Sequence, residues 1–465
     1  MKKYLSIITL TCTVLFVSCA DQLDRTPLDQ LVEETAFRTV DDLQLGLNGV
    51  IGNYNPNNII AFNAIFTDNT TIGFFNAGQE INTLNQIMNA QINDKTFWFS
   101  HYGTLNDVNR LFANAEGIAP QLGEEDQYNN ILAQAHAFRA LMHYELLLYY
   151  GEDMRNDASP GVPYVDYVSA TAVPARNTTG EVLVAIQGDL DSALALFPAG
   201  TNDINFATPD FVTFLRARIA LESGDYPAAI SFAGTIIGNY SLANPAQYLA
   251  MFRDDQDTTE VIWKYDSVQG ANLGLNFIFN FTGPNAFVGV SNELVTSFGF
   301  ADIRGIVNID EVSVPEMNDY AIGKYPVNVD QLGINDFKAM RVSEAYLIRA
   351  EALARTAQFS LAQDDVFAVR SIRDAAAVAP AYPDLTVALT DILEERRLEL
   401  AFEGHRYTDI KRMRSVLNTG MSFELAIDCV GAIPCELSPS SEKWIFPIPI
   451  AEINANTNMT QTTGY

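Results

Sequence analysis

Residues 216–230 have the sequence RARIALESGDYPAAI, which predicts two helices joined by a tight turn. Alanines stand where the two helices must approach each other, and Gly224 and Asp225 supply the turn between them. A single pair of this kind cannot bury its apolar face alone, so several pairs must stack into one continuous scaffold. The segment therefore predicts a tetratricopeptide-like helical-repeat scaffold.

The same helical periodicity recurs along most of the chain. From Tyr128 to Tyr149 apolar residues return every three or four positions, and Gly151 is suited to end that long helix. A second helix pair begins with EAYLIRAEALA at residues 344–354. Amphipathic stretches also cover residues 97–117, 180–197, 208–222, 226–238, 342–356, 361–377 and 387–415. We therefore predict a mainly α fold with a few short strands, in one structural unit.

The composition is that of a folded, strongly acidic protein. Of 465 residues, 48% are hydrophobic and 18% are charged, which excludes disorder as the main state. The chain has 28 Lys and Arg against 57 Asp and Glu, a formal net charge of -29. A surface this negative repels phosphate backbones, so nucleic-acid binding is excluded as a function.

The N-terminus has the pattern of an export signal. Lys2 and Lys3 precede an apolar run from Leu5 to Val17, which is too short to span a bilayer as a mature helix. The run ends at Ser18 and Cys19, which together resemble the cleavage site of bacterial lipoproteins. We predict a signal peptide at residues 1–18, a lipidated Cys19 and membrane attachment through lipid alone. An ordinary secretory cleavage site with an incidental cysteine is the alternative.

Two cysteines lie close together near the C-terminus, in the segment DCVGAIPC at residues 428–435. Because an exported chain meets an oxidising compartment, we predict a disulfide between Cys429 and Cys435 that closes a hairpin. Two free buried thiols are the alternative.

Two stretches depart from the helical pattern and contain no basic residue between their bounds. The first stretch lies between Arg38 and Lys95, and the part at roughly residues 52–96 is rich in Asn and Gly, so we predict long loops there. The second stretch follows Lys264 and places phenylalanines at 277, 279 and 281, a spacing typical of a strand. Long loops with aromatic residues inside a compact chain are often functional.

Three glutamates spaced by four, Glu395, Glu399 and Glu403, raise the alternative of an exported glycoside hydrolase. They share one helix face, however, whereas catalytic carboxylates must flank a substrate from two sides. The interleaved Arg396, Arg397 and Arg406 would also keep them ionised through ion pairs. Motifs for metal, phosphate or nucleophilic chemistry are absent, and His136 and His143 lack metal-ligand spacing. We expect neither catalytic activity nor a metal or cofactor.

Motifs at both ends of the chain resemble one known family. The segments that carry the likeness are LDRTP (23–27), AHAFRA (135–140), DLDSA (189–193), ERRLELAFEGHR (395–406) and FPIP (446–449). On these residues the chain is similar to the SusD/RagB family of nutrient-binding outer-membrane lipoproteins. The resemblance implies a tetratricopeptide-like scaffold with a loop-rich ligand-binding face. It also implies a cell-surface protein that binds a glycan or another oligomeric nutrient over a SusC-like TonB-dependent transporter. A helical-repeat adaptor without a small ligand is a further alternative.

Within that scheme, we predict the helical scaffold at about residues 20–51, 97–250 and 340–420, and the C-terminal hairpin and tail at 421–465. The loop-rich, ligand-facing parts are predicted at about 52–96 and 265–335. Sugars are bound by aromatic planes and by amide or carboxylate groups. The candidate ligand-binding residues are therefore Asp68, Asn69, Phe74, Phe75, Asn76, Gln79, Glu80, Asn272, Asn276 and Phe287. The alternative is that the phenylalanines are structural, and we expect the three tryptophans to lie in the core.

Overall fold

A computed structural model describes the chain at residues 36–267, 279, 287–310, 313, 320–326, 335–431 and 433–465. The predicted signal peptide, Cys19, Asn272 and Asn276 lie outside the described residues. The described part is mainly helical, as the sequence predicts. Its helices are α1 (Val40–Asn53), α2 (Asn57–Ile65), α3 (Ile81–Leu84), α4 (Trp98–Ala115), α5 (Glu125–Tyr150), α6 (Thr179–Leu196), α7 (Pro209–Ser223), α8 (Tyr226–Asn239), α9 (Pro245–Arg253), α10 (Asn292–Ser297), α11 (Ile303–Asn308), α12 (Val342–Arg355), α13 (Phe359–Arg373), α14 (Leu385–Glu399), α15 (Arg406–Leu417) and α16 (Ile450–Ala455).

Short strands pair in three two-stranded antiparallel sheets within the described residues. Their bounds are β1 (Thr70–Ile72), β2 (Val261–Tyr265), β3 (Val288–Val290), β4 (Phe337–Arg341), β5 (Met421–Ser422) and β6 (Glu436–Leu437). Strand β1 pairs with β3, with Thr71 opposite Gly289, and β2 pairs with β4. Strands β5 and β6 pair with Met421 opposite Leu437, and a disulfide joins Cys429 to Cys435 in the loop between them. That bond and its hairpin were predicted from the sequence.

The segment at residues 216–230 forms the predicted helix pair, α7 and α8. Helix α7 begins with Thr208 as its N-cap, whose side chain accepts a hydrogen bond from the Phe211 N–H. It ends at Gly224, whose φ of 86° is a left-handed conformation that glycine adopts at low cost. Asp225 then caps α8 by accepting from the Ala228 N–H. Local sequence alone therefore specifies both ends of this turn.

Helix pairs stack on one continuous hydrophobic core. Helix α8 packs against α7 and α12, and α12 packs in turn against α13 and α14. The long helix α5 packs against both α4 and α6. Buried rings interlock where these layers meet, with Phe138 and Phe211 both against Trp263. Burial of such faces by neighbouring pairs is the stabilising principle of a helical-repeat scaffold.

Three predictions about secondary structure are wrong in part. Residues 57–65, predicted as loop, form α2. This helix is buried from Ile59 to Ile65, and its polar Asn63 is satisfied there by hydrogen bonds to the Ile59 carbonyl and the Tyr149 hydroxyl. The single helix predicted at 387–415 is two helices, α14 and α15. Left-handed residues at Phe402 and Gly404, with φ of 63° and 88°, turn the chain between them. Phe279 is helical and buried, so the strand predicted around it is wrong at that residue.

Candidate functional site

An exposed pair of phenylalanines follows strand β1. Phe74 is 57% exposed and Phe75 is 46% exposed, and their rings meet edge to face with centroids 5.0 Å apart. Burial of a phenylalanine side chain stabilises a protein by about 1.5 to 3 kcal/mol, so two adjacent exposed rings leave much apolar surface available for a ligand. Of the predicted aromatic candidates, these two lie on the surface.

Asn76 fixes the turn that carries the two rings. Its side-chain amide donates to the Phe287 carbonyl at 2.7 Å and to the Gln79 carbonyl at 2.8 Å, and its side-chain oxygen accepts from the Gly78 N–H. The Gly73 N–H also donates to the Phe287 carbonyl. The structure thus brings the start of β3 against residues 73–79, as the proposal of a shared ligand-facing surface requires.

The remaining polar candidates of this turn, Gln79 and Glu80, already form bonds within the protein. The side-chain oxygen of Gln79 accepts from the Ala77 N–H, while the residue as a whole stays exposed. Glu80 forms an ion pair with Lys95 at 2.7 Å. These bonds hold the turn in one conformation, which lowers the entropic cost of binding a ligand there.

Asp68 and Asn69 are not surface residues, and their assignment as ligand-binding candidates is corrected here. Asp68 is buried and accepts two hydrogen bonds from the Arg406 guanidinium, at 2.8 and 2.6 Å. Asn69 is buried and accepts from Arg397. Burial alone would raise the pKa of Asp68, but Arg397 and Arg406 outweigh it and lower that pKa to about 2. Both residues stabilise the junction between β1 and the α14–α15 segment.

Sequence reasoning missed an aromatic groove on another part of the surface. Its volume is about 230 Å³, and it lies between the start of α4 and the loop at residues 163–174. Trp98 is buried, as predicted, and forms one wall with Phe99, which is 52% exposed. Tyr102 and the partly exposed Tyr167 also line the groove. Adjacent residues at the start of a helix point in different directions, so Trp98-Phe99 was a signal that one ring would face outward.

The glutamates of the charged motif are buried in an ion-pair network. Glu399 accepts from Arg341 at 2.8 Å and from Arg373 at 3.1 Å, while Glu403 accepts from Arg341 at 2.7 and 2.8 Å. Burial alone would raise the pKa of Glu399, but the guanidinium groups outweigh it and hold the pKa well below its usual range. The pKa of Glu403 is lowered in the same way, by Arg341 and Lys324. A general acid needs a raised pKa, so neither carboxylate has that property.

The partners of these glutamates differ from those predicted. Arg396, Arg397 and Arg406 do not pair with them: Arg396 pairs with Asp409, Arg397 with Glu293 and Arg406 with Asp68. The glutamates are instead paired with arginines from other elements, because glutamates and arginines that are neighbours along this helix project in different directions and meet different partners. The network therefore joins α11, β4, α13 and α14.

Histidine side chains in the scaffold are structural. His143 is buried, with one ring nitrogen 3.0 Å from the Arg139 carbonyl and the other accepting from the Val165 N–H. Burial lowers the pKa of His143 to about 4. His136 pairs with Asp189 at 2.8 Å. In the part of the chain that the structure describes, there is no group of three or more metal-ligating side chains.

Comparison with known proteins finds similarity to SusD-type proteins at both ends of the chain. Residues 328–465 match the model of the SusD family, and residues 22–209 match a family model described as "Starch-binding associating with outer membrane". The chain is 25% identical to SusD-like protein P2 of Formosa agariphila over the full length of both. It is 28% identical to starch-binding protein SusD of Bacteroides thetaiotaomicron over 34% of this chain and 26% of that protein. Both ends of the chain are thus similar in sequence to SusD-type proteins.

Solved structures share the fold. A SusD superfamily protein from Bacteroides thetaiotaomicron superposes with a TM-score of 0.78 at 21% identity, over 91% of this chain and 99% of the other. A laminarin-binding SusD-like protein superposes with a TM-score of 0.73 at 19% identity, over 92% of this chain and all of the other. None of the helices within the described ranges is long and apolar enough to cross a membrane.

Proposed function

We propose that this protein is a cell-surface lipoprotein that binds an oligomeric glycan and delivers it to a SusC-like TonB-dependent transporter. The observation that carries the binding proposal is the exposed Phe74–Phe75 pair on a turn fixed by Asn76. Aromatic faces pack against the C–H patches of sugar rings, and the exposed Gln79 of the same turn carries an amide suited to sugar hydroxyl groups. Asn272, Asn276 and Phe287 stay candidates for contact with the same ligand.

The glycan class is proposed from the relatives. One relative is named for starch binding and one solved structure for laminarin binding, so neutral glucans are the first ligands to test. The exposed aromatic pair suits such uncharged ligands, because stacking on ring faces needs no charge. The net charge of -29 further disfavours strongly acidic ligands over most of the surface.

The binding test uses the purified mature protein with laminarin, starch and an unrelated peptide pool as separate ligands. Calorimetry should show saturable binding of a glucan with an affinity in the micromolar to millimolar range, about 4 to 8 kcal/mol. Product analysis after prolonged incubation should show the glucan intact. Release of shorter saccharides would instead support the hydrolase alternative, and binding of peptides alone would contradict the glycan proposal.

Anchoring is tested separately with Cys19→Ala. The acyl chains on Cys19 are the proposed membrane attachment, so the variant should leave the outer-membrane fraction. Wild-type levels of the variant in that fraction, resistant to high salt, would contradict lipid anchoring. Copurification of the wild type with a large outer-membrane barrel would support the transporter partnership, and its absence under mild detergent would argue for a free adaptor.

A further inference from the structure

A small cavity beside the C-terminal ends of α5 and α15 gathers basic side chains. Its volume is about 200 Å³, enough for several water molecules, and Arg155, Lys411, Arg412 and Arg414 contribute to its lining. This concentration of positive charge contrasts with the rest of a chain in which acids outnumber bases two to one.

Three of these cations lack a carboxylate partner. Among the described residues, Arg155, Lys411 and Arg414 form no ion pair, whereas Arg412 pairs with Glu222, Glu351 and Asp409. Every lysine and arginine that is buried in the described part of the chain does form an ion pair. These are Lys95, Arg304, Lys324, Lys338, Arg341, Arg373, Arg396, Arg397, Arg406 and Arg412. Arg155, Lys411 and Arg414, which are half-buried or exposed, are thus three cations that line one cavity without a carboxylate partner among the described residues.

The acids that line the cavity leave its positive charge unbalanced. Glu222 is neutralised by Arg412 at 2.6 Å, and Glu152 pairs with Arg176, which lies outside the lining. Asp153 remains, and one of its oxygens accepts the Arg155 backbone N–H. Three unpaired cations thus face one free carboxylate, which leaves an excess of two positive charges.

Lys411 points its charge into this site from a half-buried position. Its ammonium donates one hydrogen bond, to the Leu148 carbonyl at 2.6 Å, and keeps two N–H groups for another acceptor. Arg155 likewise donates one hydrogen bond, to the Arg412 carbonyl. The Arg414 guanidinium has no hydrogen-bond partner among the described residues, so its planar fork remains available for an oxyanion.

We propose that this cavity binds a small divalent oxyanion, sulfate or phosphate, either free or as an ester on a larger ligand. An anion there would balance the excess charge and satisfy the unused donors of Lys411 and Arg414. The site uses none of the residues of the proposed glycan surface, so it is independent of that function.

The occupancy of the site depends on pH through Lys411. Burial lowers the pKa of Lys411 to about 7; Arg414 acts in the same direction, and Glu222 and Asp153 oppose it. The ammonium is therefore charged below about pH 7 and neutral above it. Arg155, Arg412 and Glu152 are the other charged groups that line the cavity with Lys411. An anion binds the charged form, so binding should weaken as the pH rises through 7.

The test is calorimetric titration of the mature protein with sodium sulfate and with sodium phosphate, against sodium chloride at matched ionic strength. Sulfate stays divalent over the range tested, so it should bind saturably at about pH 6, and its affinity should fall by about tenfold at about pH 8.5. Lys411→Gln and Arg414→Gln should each weaken binding by about tenfold. Lys443→Gln changes a lysine that also has no ion pair with any described residue but lies outside the cavity, so it should leave binding unchanged.

Two further experiments distinguish an ester ligand from a free anion, and an anion site from a purely structural role of Lys411. Glucose 6-sulfate binding about tenfold tighter than free sulfate would identify an ester ligand, and equal affinity a free anion; glucose itself should not bind here. The absence of saturable sulfate and phosphate binding by the wild type, or binding unchanged in both variants, would overturn the proposal. If the wild type bound no anion and Lys411→Gln only lost stability, Lys411 would be a helix-capping residue. That result would also overturn the proposal.

Discussion

Replacing Asp68 by Asn tests whether this residue supports the fold or binds a ligand. Asp68 is buried and is the carboxylate that pairs with Arg406, with two hydrogen bonds of 2.8 and 2.6 Å. The variant keeps the side-chain volume but leaves a guanidinium without its counter-charge near the core. Removal of one partner from a buried ion pair costs about 3 to 5 kcal/mol.

The pKa of Asp68 gives a second, independent magnitude. It lies at about 2, against an ordinary value of 3.8, so the charged form contributes about 2 kcal/mol to the free energy of unfolding at neutral pH. Because an Asn side chain still offers one oxygen to Arg406, we expect Asp68→Asn to cost about 2 to 4 kcal/mol. This contribution is present above the unfolded pKa and is lost as the pH falls toward 2.

Urea denaturation at neutral pH and at a series of lower pH values measures both the stability cost of Asp68→Asn and its dependence on pH. The difference between wild type and variant should shrink between about pH 5 and pH 2. Asp191→Asn is the control: Asp191 pairs with Arg216, but its side chain is 74% exposed, so the cost should stay below about 1 kcal/mol. Glucan affinity of Asp68→Asn should equal that of the wild type. A stability loss under about 0.5 kcal/mol, or lost glucan binding at full stability, would refute the structural role.

Two more predictions concern other buried charges. In urea denaturation, Glu403→Gln should lower the free energy of unfolding by about 3 to 5 kcal/mol. The reason is that Lys324 loses its carboxylate partner and Arg341 loses one of three. An unchanged free energy of unfolding would mean that the network is not important for stability. Burial lowers the pKa of His143 and of His405 from 6.5 to about 4, so the unfolded chain takes up more protons below pH 6.5. The melting temperature should therefore fall as the pH drops from about 6.5 to 4, and His143→Gln should reduce that slope, whereas an unchanged slope would contradict the assignment.

Local patterns predict those parts of the fold that local physics determines. The helix pair at residues 216–230 follows from its small residues and its Gly224 turn, and both ends are found where the sequence predicts them. The disulfide is predictable because Cys429 and Cys435 are close in sequence and an exported chain is oxidised. The motifs at 395–406 and 446–449 suffice to predict the similarity to the SusD family that is found at residues 328–465.

Long-range pairing accounts for what the sequence did not predict. Asp68 and Arg406 are 338 positions apart, so nothing near Asp68 in the sequence shows that its carboxylate is occupied. Helix α2 was missed because its asparagines resemble turn residues, while Asn63 is in fact satisfied by Tyr149 from α5. Similarly, Phe74 and Phe75 could be predicted as candidates, but their exposure depends on how the turn packs against Phe287.

The central claim, that Phe74 and Phe75 form a glycan-binding surface, is tested by the double variant Phe74→Ala with Phe75→Ala. Laminarin and starch affinity is measured by calorimetry beside thermal unfolding, with Phe300→Ala as the control, since Phe300 is fully exposed and was not assigned to the site. We predict that the double variant loses at least tenfold in affinity, about 1.4 kcal/mol, at an unchanged melting temperature, while the control binds as the wild type does. Unchanged affinity of the double variant, or a loss that accompanies unfolding, would contradict the claim.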